Sequence, residues 1–185
     1  MERSLNKLIN HIEEPRIGQS YPNFYASKLA SKFVKVVLSG IGSDELFAGY
    51  IWRYNKVKNA KNYSDFIDKS YSLWQRLLSE TEKKSVFSPI WHDVKDINTK
   101  CIFANAFKGS NTQLSNNDSF LNQTLYFENK TFLQGLLIIE DKISMSHGLE
   151  TRVPFLDNDL VDFAMRCPTK FKLNSDADTI SLDEN

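Results

Sequence analysis

The chain has 185 residues, enough for one domain with its own hydrophobic core. Hydrophobic residues make up 41% and charged residues 25%, the proportions of an ordinary water-soluble fold. Its 23 basic side chains balance 23 acidic ones, which argues against a nucleic-acid or anionic-membrane surface.

In chain order, Leu5, Leu8, Ile9 and Ile12 recur at helical spacing and predict a first helix stopped by Pro15. A second helix is predicted over residues 21–32, opening near Pro22 and carrying Phe24, Leu29 and Phe33 on one side. Residues 34–39 are apolar and rich in β-branched side chains, and read as a buried strand. Ser43 is placed to cap a helix running to about Tyr54. Residues 64–79 and 80–108 read as helical or mixed, with Phe66, Ile67, Leu73 and Trp74 at helical spacing. The polar run 108–117 reads as a loop. Residues 120–147 predict one long helix or a pair, with Gly135 as the break and Gly148 as the C-cap. Residues 149–156 read as an extended loop, after which Asp157 caps a last helix through Ala164. The polar tail, residues 174–185, reads as frayed. The expected fold class is therefore α/β, mostly helical, over residues 1–173, with one clear strand whose partners are not evident.

Cys101 and Cys167 stand far apart with no paired spacing, which fits a reducing cytoplasm better than a disulfide framework. His11, His92 and His147 are dispersed, against a histidine metal site. The pairs Trp52/Tyr54 and Tyr71/Trp74 read as packing. No apolar run is long enough to span a bilayer, and the charged start from Glu2 does not read as a signal peptide.

The segment with most chemistry in it is Ser39-Gly40-Ile41-Gly42-Ser43-Asp44-Glu45, where strand passes through a glycine turn into helix. Glycines Gly40 and Gly42 let backbone N–H groups approach an anion, and a helix N-terminus adds unsatisfied donors. Asp44 and Glu45 would repel a bare phosphate. They fit a phosphate whose charge is bridged by a divalent cation. The plain alternative is a strand–helix turn in which glycine merely permits tight packing.

This segment, continued to Tyr50, and the later run Asp141-Lys142-Ile143-Ser144-Met145-Ser146-His147-Gly148-Leu149-Glu150-Thr151-Arg152-Val153-Pro154-Phe155-Leu156-Asp157 together resemble the C-terminal synthetase domain of the glutamine-dependent asparagine synthetases. The resemblance implies part of a Rossmann-like domain of the adenine-nucleotide alpha-hydrolase kind. It also implies a cytoplasmic ligase that activates a carboxylate, aspartate first, with ATP and Mg²⁺. The acyl-adenylate then takes ammonia released from glutamine in a glutaminase domain. Carried over by position, Ser39 and Gly40 contact nucleotide, Asp44 holds magnesium, and Glu45 lies near the substrate carboxylate and amine. Many members carry an acidic residue where Ile41 stands, and isoleucine has no titratable group. The family's Ser-Gly-Gly-x-Asp-Ser pyrophosphate loop is not in these residues, nor is a cysteine at residue 2, where Glu2 stands. The isolated chain is accordingly expected to be inactive. Relatives amidate sugar acids or close β-lactam rings, so another carboxylate acceptor and a catalytically silent folded fragment stand as alternatives. In the later run, Met145, Leu149, Val153, Phe155 and Leu156 read as core. Glu150 and Arg152 read as a partly buried ion pair, and Asp141 and Lys142 as the residues facing a cleft.

Overall fold

The computed structural model describes residues 2–13, 20–75, 78–107 and 117–173. Pro15, residues 108–116 of the predicted loop at 108–117 and the tail after Leu173 lie outside the described residues, and Asn117 begins a helix. In chain order the elements are α1 (Glu2–Ile12), α2 (Ser20–Ala30), β1 (Val36–Leu38), α3 (Ser43–Phe47), α4 (Ile51–Val57) and α5 (Tyr63–Trp74). There follow α6 (Glu80–Val86), α7 (Trp91–Val94), α8 (Thr99–Asn105), α9 (Asn117–Phe127), a π turn (Glu128–Phe132), α10 (Leu133–Met145), β2 (Glu150–Arg152) and α11 (Asn158–Arg166). The chain divides into two compact units, residues 1–49 with 128–167 and residues 50–127 with 168–185.

In the first unit, Leu8 and Ile12 of α1, Phe24 of α2 and Ile143 of α10 form the core, as their helical spacing predicts. Lys142 fastens the end of α1. Its Nζ donates to the carbonyl of Ile12 at 2.8 Å and pairs with Glu13 at 3.0 Å. A cation on the last carbonyls of a helix satisfies orphan acceptors and complements the dipole. Lys142 is thus spent on α1 and does not face a cleft as expected, whereas Asp141 is exposed.

β1 has a partner after all. It pairs in parallel with β2, in the register Val36–Glu150, Val37–Thr151 and Leu38–Arg152. The ladder is prolonged by Glu150 N–H on Lys35 O (2.9 Å) and Ser39 N–H on Arg152 O (2.8 Å). The predicted extended loop at 149–156 therefore contains a strand. Glu-Thr-Arg has no apolar alternation to reveal it, because its side chains are not sorted onto a buried face. β1 is also shorter than predicted and is not buried: Val36 is 40% and Leu38 74% exposed. A sheet of two strands offers these side chains no second layer.

The predicted helix from Ser43 to Tyr54 is two helices. α3 stops at Phe47 because Ala48 takes a left-handed conformation, φ 62°, and α4 begins at Ile51. The predicted break at Gly135 falls instead at the π turn. Gly135 lies buried inside α10, where a single glycine costs only about 1 kcal/mol and packing outweighs it.

The second unit is organised by aromatic rings. Phe66 stacks on Phe120 at 5.1 Å, Phe107 stacks on Phe127 at 5.2 Å, and Phe103 closes against Phe127 at 4.8 Å. Trp74 joins them through Phe127, and Tyr71 through Phe103. Tyr54 is buried as expected, but its companion Trp52 is 55% exposed. Polar caps set the helix starts here: Asn62 for α5, a Ser79–Glu82 capping box for α6 and Asn98 for α8. Among the described residues, no helix is long and apolar enough to cross a membrane.

Candidate active site

The parallel pairing of β1 with β2 lays the two informative segments side by side, both leaving the sheet at its carboxyl end. From β1 the chain runs through Ser39–Gly42 into α3; from β2 it runs through Val153–Leu156 to Asp157 and α11. Crevices at the carboxyl ends of parallel strands are where open α/β sheets take their ligands.

The turn is built on Gly42. Its φ of 97° is left-handed, and a Cβ there would stand 2.9 Å from Leu156 Cγ. Backbone conformation and contact both require glycine, and the contact joins the two segments. The residue is buried. Its evident work is to let the turn close on Leu156; the Gly42 N-cap position has no side chain to offer. Gly40 differs: it is exposed, and a Cβ there would meet nothing within 4 Å. Backbone at that point faces open space.

Ser43 does not cap α3 as expected. It is the first residue of the helix, and its hydroxyl donates to Gly40 O at 2.8 Å. Ser39 Oγ accepts from Ile41 N–H at 3.4 Å. Both serines brace the turn from within. With five residues, α3 contributes little macrodipole, so the donor set of the turn is mainly local backbone.

The acidic pair is divided by the helix. Asp44 is exposed and Glu45 is 2% exposed, facing the interior. Successive helical side chains lie about 100° apart, so the two carboxylates cannot share one face. Beneath α3, Asn129 of the π turn donates to Glu45 O at 2.9 Å. Asn129 carries no motif, and nothing in the sequence signals its contact with the turn.

The later segment is mostly structural. Leu149 is buried as predicted, but Met145 is 57% and Phe155 36% exposed, against the core reading. Glu150 and Arg152 do pair, at 2.7 Å, but both side chains are more than half exposed. An ion pair in that setting is worth about 0–1 kcal/mol, so it does not fix the loop. Asp157 caps α11 as expected, accepting from Asp159 N–H at 3.0 Å. His147 lies edge-on to Phe24 at 4.5 Å. Its pKa is lowered from 6.5 first by burial and then by the positive charges of Lys28, His11 and Lys7.

Comparison with known proteins points to one family. The asparagine synthase family profile matches residues 1–180. Asparagine synthetase 1 (glutamine-hydrolysing) of Bacillus subtilis strain 168 is 30% identical over 192 residues, covering 91% of this chain and 30% of that protein. Asparagine synthetase 3 of the same organism is 27% identical, covering 92% of this chain and 28% of its own length. Asparagine synthetase 2 of Oryza sativa subsp. japonica is 41% identical over 66 residues, 34% of this chain and 11% of that protein. The chain thus spans about 30% of the length of the Bacillus relatives it matches. No solved structure matches it significantly. With both segments paired at one sheet end and the family profile running over nearly all of its length, this chain belongs to the asparagine synthase family.

Proposed function

We propose that the chain carries part of the ATP-dependent amide-forming site of an asparagine synthetase-type ligase. The observation that supports it is the parallel pairing of β1 and β2. It brings the glycine turn, Asp44 and the end of the second segment to the carboxyl edge of one sheet. The Rossmann-like reading of the sheet belongs to the same proposal.

In this reading a carboxylate substrate, aspartate in the simplest case, attacks the α-phosphorus of ATP and pyrophosphate leaves. Ammonia, supplied from glutamine by a glutaminase domain, then attacks the acyl-adenylate; AMP leaves and an amide, asparagine, is formed. The exposed backbone at Gly40 and the Ser39 hydroxyl face the nucleotide phosphates, and Gly42 holds the turn in shape for them. Asp44 presents an exposed carboxylate beside that turn. Among the described residues no group of three or more His, Cys, Asp or Glu could hold a metal. One carboxylate nevertheless fits Mg²⁺, which is commonly bound by one or two carboxylates with waters and substrate phosphates. When bound, magnesium would neutralise charge on the leaving pyrophosphate.

Glu45, proposed from resemblance as catalytic, is buried, and its carbonyl is anchored by Asn129. Its placement favours holding α3 beneath the site over moving a proton. Ile41 has no group to take a proton from ammonia. The departure from the acidic residue that many members carry there motivates a second reading, an acceptor carboxylate other than aspartate. The cytoplasm, where ATP and glutamine are available, is the compartment this proposal implies.

The test is amide-resolved NMR of the 185-residue chain titrated with ATP and Mg²⁺. Shifts confined to Ser39–Asp44 and Val153–Asp157, saturating weakly, are expected, and Asp44→Asn should remove their magnesium dependence. Unmoved amides in both segments at about ten-millimolar ligand, weaker than any useful affinity, would end the proposal. In the complete protein, labelled aspartate and a panel of other carboxylates, each supplied with ATP and glutamine, then separate the two acceptors.

A further inference from the structure

The second unit holds a concave site that uses no residue of the glycine turn. Between α5, the start of α6 and α8 lies a cavity of about 580 Å³, within the range of small-molecule sites. Trp74, Leu78, Ile102 and Phe103 give it apolar walls. Its polar corner is made by three groups from three helices. Lys83 Nζ donates to Thr99 Oγ1 and lies 3.4 Å from the Tyr71 hydroxyl. The Tyr71 and Thr99 hydroxyls are hydrogen-bonded to each other. On the far side of Tyr71 a second cavity, about 460 Å³, runs past Lys95, Asp96, Asn98 and Lys100, the last of which is paired with Asp68. The corner therefore opens toward a surface of mixed charge on one side and a greasy one on the other.

An ammonium and two hydroxyls converging at the edge of an apolar cavity make a recognisable arrangement. The cationic donor and hydroxyls suit an anionic oxygen pair, since charge-assisted bonds are the strong ones. The aromatic and aliphatic walls reward a ligand body that sheds water. Inorganic phosphate would use the corner and leave the walls wet. A cationic amphiphile would fill the walls and meet Lys83 with like charge.

We propose that this cavity binds a small organic carboxylate with an apolar alkyl or aryl body. The carboxylate sits on Lys83 with Thr99 and Tyr71, and the body lies along Trp74, Leu78, Ile102 and Phe103. The cavity uses no residue of the glycine turn, and its occupancy does not depend on the proposal made for that turn.

The experiment is calorimetric titration of the 185-residue chain with octanoate and with 3-phenylpropanoate, using octanamide and octylammonium as comparators. Saturable binding of both acids is expected at about millimolar affinity or tighter, with the amide and the amine at least about tenfold weaker. Lys83→Met should cost the acids at least about tenfold while Lys83→Arg retains them. Ile102→Trp, at a position 61% exposed and so tolerant of change, should weaken both acids by narrowing the cavity. Absence of saturable acid binding overturns the proposal. Equal affinity for octanamide does so as well, and so does unchanged affinity in a folded Lys83→Met chain. If Lys83→Met does not fold, the amide comparison and Ile102→Trp decide.

Discussion

Asp44 and Gly49 compete for one space: a Cβ built on Gly49 would fall against Asp44 Oδ1 and stand 2.6 Å from its Cγ. The left-handed Ala48 turns the chain back, and Gly49 N–H donates to Asp44 O at 3.0 Å. The carboxylate of Asp44 thus rests over bare glycine backbone. Gly49 has no positive φ, so alanine is acceptable to the backbone there, but the Asp44 side chain has to give way, its Cβ included at 2.9 Å. Gly49→Ala is expected to reduce the magnesium-dependent ATP response about as far as Asp44→Asn does. The double variant should be no worse than either single one, because both remove the same placement. NMR titration of the four chains checks this; additive losses would separate Gly49 from Asp44.

Gly42 meets two demands at once, a φ of 97° and the approach of Leu156. Gly42→Ala should destabilise the first unit by about 2–4 kcal/mol, combining left-handed strain with overpacking. Leu156→Ala in the same chain should recover the packing part and leave the backbone part. Urea unfolding followed by far-ultraviolet circular dichroism measures both. A Gly42→Ala chain as stable as the parent would mean that the turn is not held against Leu156.

The order strand, glycine turn, helix could be read in advance because each step has a local cause: a β-branched run, glycines, then an acidic helical start. Asp157 could be read as a cap for the same reason. β2 could not, since Glu150, Thr151 and Arg152 owe their strand conformation to the β1 ladder and to no preference of their own. The inward turn of Glu45 was implicit in helical geometry once Asp44 faced out, but the bond that ties the Glu45 carbonyl to Asn129, 84 residues further along, has no local signal. The end of α3 at Ala48 likewise has no local signal, as alanine is a strong helix former.

Glu140 on α10 is half-buried, and burial raises its pKa while the 3.1 Å bond from Asn23 Nδ2 to Oε2 opposes that rise. A carboxyl whose folded pKa lies above its unfolded value favours folding when protonated, and that contribution is lost as pH rises through the folded value. Glu140→Gln keeps the shape and an acceptor for Asn23 without the charge. It should raise the melting temperature at pH 7, with the gain disappearing below about pH 4, where both states of the parent are protonated. Thermal unfolding at the two pH values checks the sign; a loss of stability at pH 7 would show that the ionised form is the favoured one.

His147 works in the opposite direction. Its folded pKa is depressed below 6.5, by burial first and then by Lys28, His11 and Lys7. The unfolded state therefore binds the proton more readily. Stability is fully present above the unfolded value and falls as pH drops from about 6.5 toward the folded pKa. Replacing the imidazole with a neutral amide of similar reach removes the titrating group but leaves its three cationic neighbours unchanged. In His147→Gln the slope of unfolding free energy against pH between about 5.5 and 7 should flatten relative to the parent. If the slopes coincide, His147 is not a source of the acid sensitivity of this unit.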